Sequence, residues 1–208
     1  MMLGGPHVSF SAAPGSSGGG ASALNPWGQY KSGFFYGVYA PGNVTTTSNT
    51  PGVLLLIPFV AFTTFHATAI YCYATLNRTF TAGLVRSGIY TDAVGKPTDL
   101  ILDAGTRTAA TRTGHHPQTS PITHTLTPGY YWLCIVNQST GKAMYVRRPD
   151  NTSTLLVGEM GRSTPNNSST GIMGYSTTGV TGALPATLGA LTEITVAGHC
   201  PCIFLKHA

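Results

Sequence analysis

From Trp27 to Ala208, no window of about eleven residues repeats its apolar positions at helical spacing without a Gly, a Pro or a β-branched run breaking the pattern. A backbone interrupted that often cannot satisfy its amide and carbonyl groups within local helices, so the segments must pair with one another. The expectation is an all-β protein. Phe65 to Tyr73 (FHATAIYCY) is β-branched and aromatic, and Thr75 to Ala82 can turn the chain into a strand from Leu84 to Tyr90. A turn through Gly95, Lys96 and Pro97, whose ring fixes φ, feeds a short strand from Leu100 to Asp103. Thr119 to Leu126 alternates and ends at Thr127, Pro128 and Gly129, with Pro128 and Gly129 placed as in a type II turn.

Tyr130 to Val136 (YYWLCIV) is apolar on both faces, the signature of a central strand. Within it Trp132 is expected to fill core volume with its indole N–H directed to a carbonyl. Lys142 to Arg148 follows across Gln138 to Gly141 as in a hairpin. Residues 150 to about 190, rich in Asn, Ser, Thr and Gly, read as long loops, and Cys200 to Lys206 as the last strand. Short strands with turn signals between them predict a single β-sandwich, jelly-roll-like in type. Gly88 and Tyr90 suit a strand in which a small residue admits a neighbouring backbone or ring.

Residues 1 to about 26 differ: between Phe10 and Leu24 they hold Gly, Ser, Ala and Pro with almost no bulky side chain. Such a stretch cannot offset the entropy of ordering itself and predicts an attachment arm ahead of a head domain spanning residues 27–208. With 208 residues and 42% hydrophobic side chains, the chain can fill one sandwich core. The longest apolar run, Val53 to Phe62, contains Pro58 and falls far short of the roughly 20 residues of a membrane span. The start, MMLGGPHVSF, lacks the basic and apolar regions of a secretory signal, and four cysteines make no disulfide framework, which predicts maturation in a reducing cytoplasm.

Only 8% of the residues are charged, against about 25% in an ordinary domain. Six carboxylates leave little for paired-carboxylate catalysis or an oxygen cage for a hard cation. The net charge of +5 comes from scattered residues (Lys31, Arg78, Arg86, Lys96, Arg107, Arg112, Lys142, Arg162 and Lys206), with Arg147 and Arg148 the adjacent pair. That distribution does not make a nucleic-acid footprint; it biases the molecule weakly toward acidic surfaces.

His199, Cys200 and Cys202, with His207, combine thiolate and imidazole, but zinc sites take Cys-x2-Cys spacing and a second pair of ligands, so small buried residues are expected. His115 and His116 beside Pro117 read as a solvated loop pair. No Gly-x-Ser-x-Gly elbow occurs. Asp92, Asp99, Asp103, Asp150, Glu159 and Glu193 cannot be paired for sugar hydrolysis, and the first three lie in or beside turns, where carboxylates bond their own backbone. The sequons at Asn43, Asn77, Asn137, Asn151, Asn166 and Asn167 reflect Ser/Thr richness. No catalytic residue, cofactor ligand or metal ligand is assigned, the residues that contact a ligand are unknown at this stage, and the chain is expected not to be an enzyme.

Residues 83–108 (GLVRSGIYTDAVGKPTDLILDAGTRT), followed by residues 123–138 (THTLTPGYYWLCIVNQ), carry a resemblance. Gly-Ile-Tyr before an acidic turn and Gly-Lys-Pro, then Leu-x-Leu-Asp-Ala-Gly and Leu-x-Pro-Gly-x-Tyr-Trp-Leu, together with the ending Gly182 to Thr187 and Phe204 to Lys206, resemble the β-sandwich domain near the C-termini of tailed-bacteriophage tail-fibre, minor-tail and related virion proteins. The resemblance spans roughly residues 53–208, with the Gly/Ser arm in place of a long shaft and His115-His116-Pro117 enlarging a loop. It implies a bacteriophage virion structural protein on the tail or capsid surface, made in the host cytoplasm. As a short tail fibre, tail-tip or head-spike component it would bind the host surface, a glycan in particular, through Asn/Ser/Thr/Gly loops and exposed Tyr. The alternative is a capsid or tail decoration protein that stabilises the particle without receptor binding; a cellular sugar-binding module is a more distant one. Implied partners are other virion proteins, through the arm, and further copies of the chain, a trimer being favoured, with no nucleic acid and no membrane insertion. Phe34 to Tyr36 and Val53 to Phe62 are expected to supply the apolar surface for that association.

Overall fold

The computed structural model describes residues 30–37, 44–76, 83–109, 116–140, 144–149, 174–194 and 201–208. Every regular element among them is a strand. In chain order they are β1 (Phe35–Tyr36), β2 (Val44–Asn49), β3 (Leu54–Ala61), β4 (Phe65–Leu76), β5 (Gly83–Ala93) and β6 (Lys96–Ala109), then β7 (His116–Leu126), β8 (Gly129–Asn137), β9 (Met144–Pro149), β10 (Gly174–Thr177), β11 (Thr192–Ile194) and β12 (Ile203–His207). The expected attachment arm, residues 1 to 26, lies outside the described residues.

Two six-stranded antiparallel sheets result. Sheet A runs β1-β12-β4-β9-β2, with β7 on the other edge of β4; sheet B runs β11-β10-β3-β8-β5-β6. Consecutive strands lie in different sheets at every step except β1 to β2, β5 to β6 and β10 to β11. This winding gives two facing quartets, β1-β12-β4-β7 and β3-β8-β5-β6, and is that of a jelly roll. The all-β sandwich read from the sequence is the fold observed.

Several local expectations are corrected. The β5–β6 turn is Val94-Gly95, both at positive φ (54° and 76°), so Lys96 and Pro97 already belong to β6. Both central residues in the left-handed region make it the mirror-image turn that matches strand twist, and Val94 tolerates it fully exposed. The strand expected from Leu100 to Asp103 runs instead from Lys96 to Ala109. Gly129 does not take the positive φ of a type II turn; it opens β8 opposite Ala61, and Thr127-Pro128 is a corner between sheets. β8 and β9 form no hairpin, because β9 pairs with β2 and β4 in the other sheet. Within the region read as loops, β10 pairs with β3 and β11. The last strand begins at Ile203.

Alternation within each strand builds two cores. Leu55, Ile57 and Phe59 of β3, Leu133 and Ile135 of β8, and Val85 and Ile89 of β5 face sheet A, where Phe65, Ile70, Met144, Val146, Ile203 and Leu205 meet them. The intervening residues of sheet B, Leu54, Leu56, Tyr90, Trp132, Cys134 and Val136, form a second buried cluster with Tyr175, Val180 and Leu184. β8 is therefore buried on both faces, as its composition indicates.

The second cluster is closed by residues 178–191, a strap across the outer face of sheet B. Val180 N donates to Gly52 O (3.0 Å), Gln138 Nε2 to Gly182 O, Tyr90 Oη to Pro185 O (2.9 Å), Leu100 N to Ala186 O (2.8 Å) and Leu188 N to Thr98 O (3.0 Å). Gly88 sits under the strap. A Cβ there would collide with Leu184 Cδ1 and the Leu102 carbonyl, which is the close approach its size was expected to permit. Register shifts between β5 and β6 around Tyr90 insert an extra residue, letting Leu100 and Asp103, three apart, both face the strap.

Candidate functional site

The described carboxylates are built into sheet B and its strap. Asp103 accepts two hydrogen bonds from Arg86 Nε (2.8 and 2.9 Å), pairs with Arg86 Nη2 (2.7 Å), and accepts the amides of Gly105 (2.9 Å) and Leu184 (3.1 Å). Partial burial would raise its pKa, but the Arg86 hydrogen bonds, the two amides and the Arg86 charge outweigh that and hold it below the usual carboxylate value. Asp92 accepts Trp132 Nε1 (2.7 Å) and the Gly95 amide (3.1 Å); Asp99 accepts Thr187 Oγ1 (3.2 Å). Asp103 thus bonds the nearby Gly105 amide within β6 and fastens Leu184, whereas Asp92 bonds its own turn, as expected, and fastens Trp132. The indole N–H of Trp132 reaches this carboxylate where a carbonyl was expected.

The remaining sequence candidates disperse. Cys72, Cys134 and Cys202 are buried free thiols on different strands or segments, and burial pushes the Cys72 thiol up to about 12. No group of three potential metal ligands occurs among the described residues. His199, Cys200 and His115 fall outside them, as do Asp150, Glu159 and the sequons at Asn43, Asn77, Asn151, Asn166 and Asn167. Asn137 is fully buried: its amide donates to Asn49 O (2.9 Å) and its Oδ1 accepts Ser139 N (2.9 Å), so the folded chain offers no acceptor there. Glu193 is exposed on β11.

Two surfaces remain. The strap forms a cleft of about 350 Å³ lined by Thr177 to Ala183, Pro185, Leu188 and Gly189, none of them charged. It belongs to the Thr/Gly-rich loops expected to bind sugar; Tyr130, at 69% exposure, is on the same sheet.

The other surface is the outer face of sheet A, which sequence reasoning missed. Inward Ile203 and Leu205 alternate with Phe204 and Lys206, and inward Ile70 and Cys72 flank Tyr71. Phe35 pairs with Lys206 in register, and its ring lies 4.8 Å from that of Tyr71, which is 6.3 Å from Phe204. Lys206 Nζ lies 6.0 Å from the Phe35 ring centre. At the rim, Lys31 Nζ stands 5.9 Å from the Phe34 ring centre. Tyr145, between buried Met144 and Val146, lies on β9 opposite Thr75. The six strands of sheet A contain no Asp or Glu but hold Lys206, Arg147 and Arg148; those of sheet B hold Arg86, Lys96 and Arg107 with Asp92, Asp99, Asp103 and Glu193. Three of the basic residues thus lie on strands without an acid, and the other three share sheet B with the four described acids.

Of the two apolar segments expected to drive association, Val53 to Phe62 is mostly β3 and lies inside the sandwich, leaving Phe62 exposed. Phe34 and Phe35 remain 58% and 46% exposed. No protein-family model matches the chain, and no curated protein matches it.

Proposed function

We propose that the chain is a surface component of a bacteriophage particle, a short tail fibre, tail-tip or head-spike protein, that recognises the host surface and is held to the particle through residues 1–26. The observation that carries this reading is the unequal treatment of the two sheets. Sheet B has its outer face closed by the chain's own strap, whereas on sheet A Phe35 is nearly half exposed with Lys206 beside its ring. Rings that stack on the apolar faces of sugars give low affinity per site, and several copies on one particle, a trimer in the simplest arrangement, compensate through avidity.

The test is immunolabelling of particles from a lysate that contains the protein, with adsorption measured after antibody is added. Label at the tail or at head spikes together with blocked adsorption is expected. Label spread over the capsid with adsorption intact would favour the decoration reading, and unlabelled particles would remove the virion reading altogether.

A further inference from the structure

Resting on that reading, we infer that the strap over sheet B carries a sugar subsite of its own, the cleft of about 350 Å³ that runs from the end of β10 to Gly189, and that its ligand is an uncharged saccharide of about one or two rings. Three observations converge. The hydroxyls of Thr177, Thr178 and Thr181 line the cleft, and neither they nor the amides of Thr181, Gly182 and Ala183 have a hydrogen-bond partner among the described residues. Val180, Pro185 and Leu188 add apolar surface to the same lining, so hydrogen-bonding groups and apolar patches occur together, as they do on a sugar. Gly182 and Gly189 line it too; a Cβ on either would meet nothing within 4 Å, and neither has the positive φ that favours glycine. Packing therefore does not require glycine at these two positions, and the bare backbone there keeps the cleft wide.

The walls are set before a ligand arrives. Val180 N donates to Gly52 O (3.0 Å), the Gly182 carbonyl accepts Gln138 Nε2, and Leu184 N donates to Asp103 Oδ2 (3.1 Å), which spares the cost of ordering a loop on binding. The lining also selects against other occupants. No charged side chain takes part, so an anionic sugar or a phosphate would find no cation. An extended peptide needs a sheet edge, but β10 already pairs with β3 on one side and β11 on the other. A fatty chain would bury the threonine hydroxyls without giving them partners.

The test is an amide chemical-shift titration of the full chain with a panel of neutral disaccharides (maltose, lactose, cellobiose and diacetylchitobiose), with digalacturonate and tetra-alanine as the charged and peptide probes. At least one neutral disaccharide should shift the Thr181, Gly182, Ala183 and Gly189 amides, and salt should change that binding little. Thr181→Val, which keeps the shape and removes the hydroxyl, should weaken it by about fivefold, the loss of roughly one hydrogen bond. Gly182→Leu and Gly189→Leu fill the cleft from positions where a side chain has room, so they should abolish the shifts at an unchanged melting temperature. No shift with any neutral disaccharide, equal shifts with digalacturonate or tetra-alanine, affinity unchanged in Thr181→Val, or binding that persists in both leucine variants would each overturn the inference. Particles that adsorb through the labelled protein while these amides stay silent would refute this inference alone; cleft binding by a protein missing from particles would refute the virion reading alone.

Discussion

The indole Nε1 of Trp132 donates to Asp92 Oδ1 at 2.7 Å, joining the centre of β8 to the end of β5 and, through Asp92 Oδ2 and the Gly95 amide, to the β5–β6 turn. Trp132 is 1% exposed, so its only polar atom needs a partner inside the fold. Trp132→Phe should cost about 1–3 kcal/mol, through the unpaired acceptor and the lost volume. Combined with Asp92→Ala in a double-mutant cycle, the coupling should be about 0.5–3 kcal/mol; additive effects in denaturant melts would show that the bond contributes nothing of its own.

Gly88→Ala should destabilise the strap in particular. The added methyl meets Leu184 and a backbone carbonyl that cannot swing aside, and overpacking of this kind costs about 1–3 kcal/mol. For a chain of this size the melting temperature should drop by roughly 2–12 °C. Hydrogen exchange should quicken at the Leu184, Val180 and Leu188 amides before it does in β8; uniform exchange across the sandwich would contradict a strap-centred effect.

Asp103 supplies a pH dependence with a definite sign. Its pKa is depressed on folding from 3.8, so its contribution is complete above that value and disappears as pH falls through the lower folded-state value. Asp103→Asn should be less stable by about 2 kcal/mol at pH 7, where Arg86 loses its charged partner. The gap to the parent protein should close below about pH 3.8. A constant gap in urea melts from pH 2 to 7 would contradict it.

The buried thiols should be inert. Burial raises the Cys72 and Cys134 pKa values, which leaves almost no thiolate near neutrality, and Cys202 is buried as well. In a Cys200→Ser background, iodoacetamide at pH 8 should label none of the three until denaturant is added. Labelling of the native protein within minutes, read by intact mass, would mean that the end of the sandwich opens.

What the sequence reveals follows from what alternation encodes. YYWLCIV identifies a strand buried on both faces, and β8 is one; Gly88 reads as a point of close approach, and Leu184 approaches there. Alternation says which side chains share a face but not which strand lies beside which, so the sheet changes at β8 to β9 were read as a hairpin. In the strap Val180, Leu184, Leu188 and Leu191 fall four, four and three apart, but Gly182, Pro185 and Gly189 break that helical spacing, a pattern indistinguishable from loop until the face it covers is known. The ring cluster of sheet A is half legible, since IYCY and CIFLK each place an aromatic opposite inward aliphatics, yet Phe35 and Phe204 are 169 positions apart and reach the same Tyr71 ring only through strand pairing.

The strap also sets an order of events. Trp132, Tyr90, Leu54 and Leu56 are all synthesised well before Leu184, the residue that closes over them, and β1 waits for β12, which is made later still. A chain made only as far as β9 therefore lacks both the strap over sheet B and the Ile203 and Leu205 side chains that complete the inner core, and contacts of such long sequence separation form slowly. During that interval the sticky face of the nascent protein is sheet B, the one the mature protein hides.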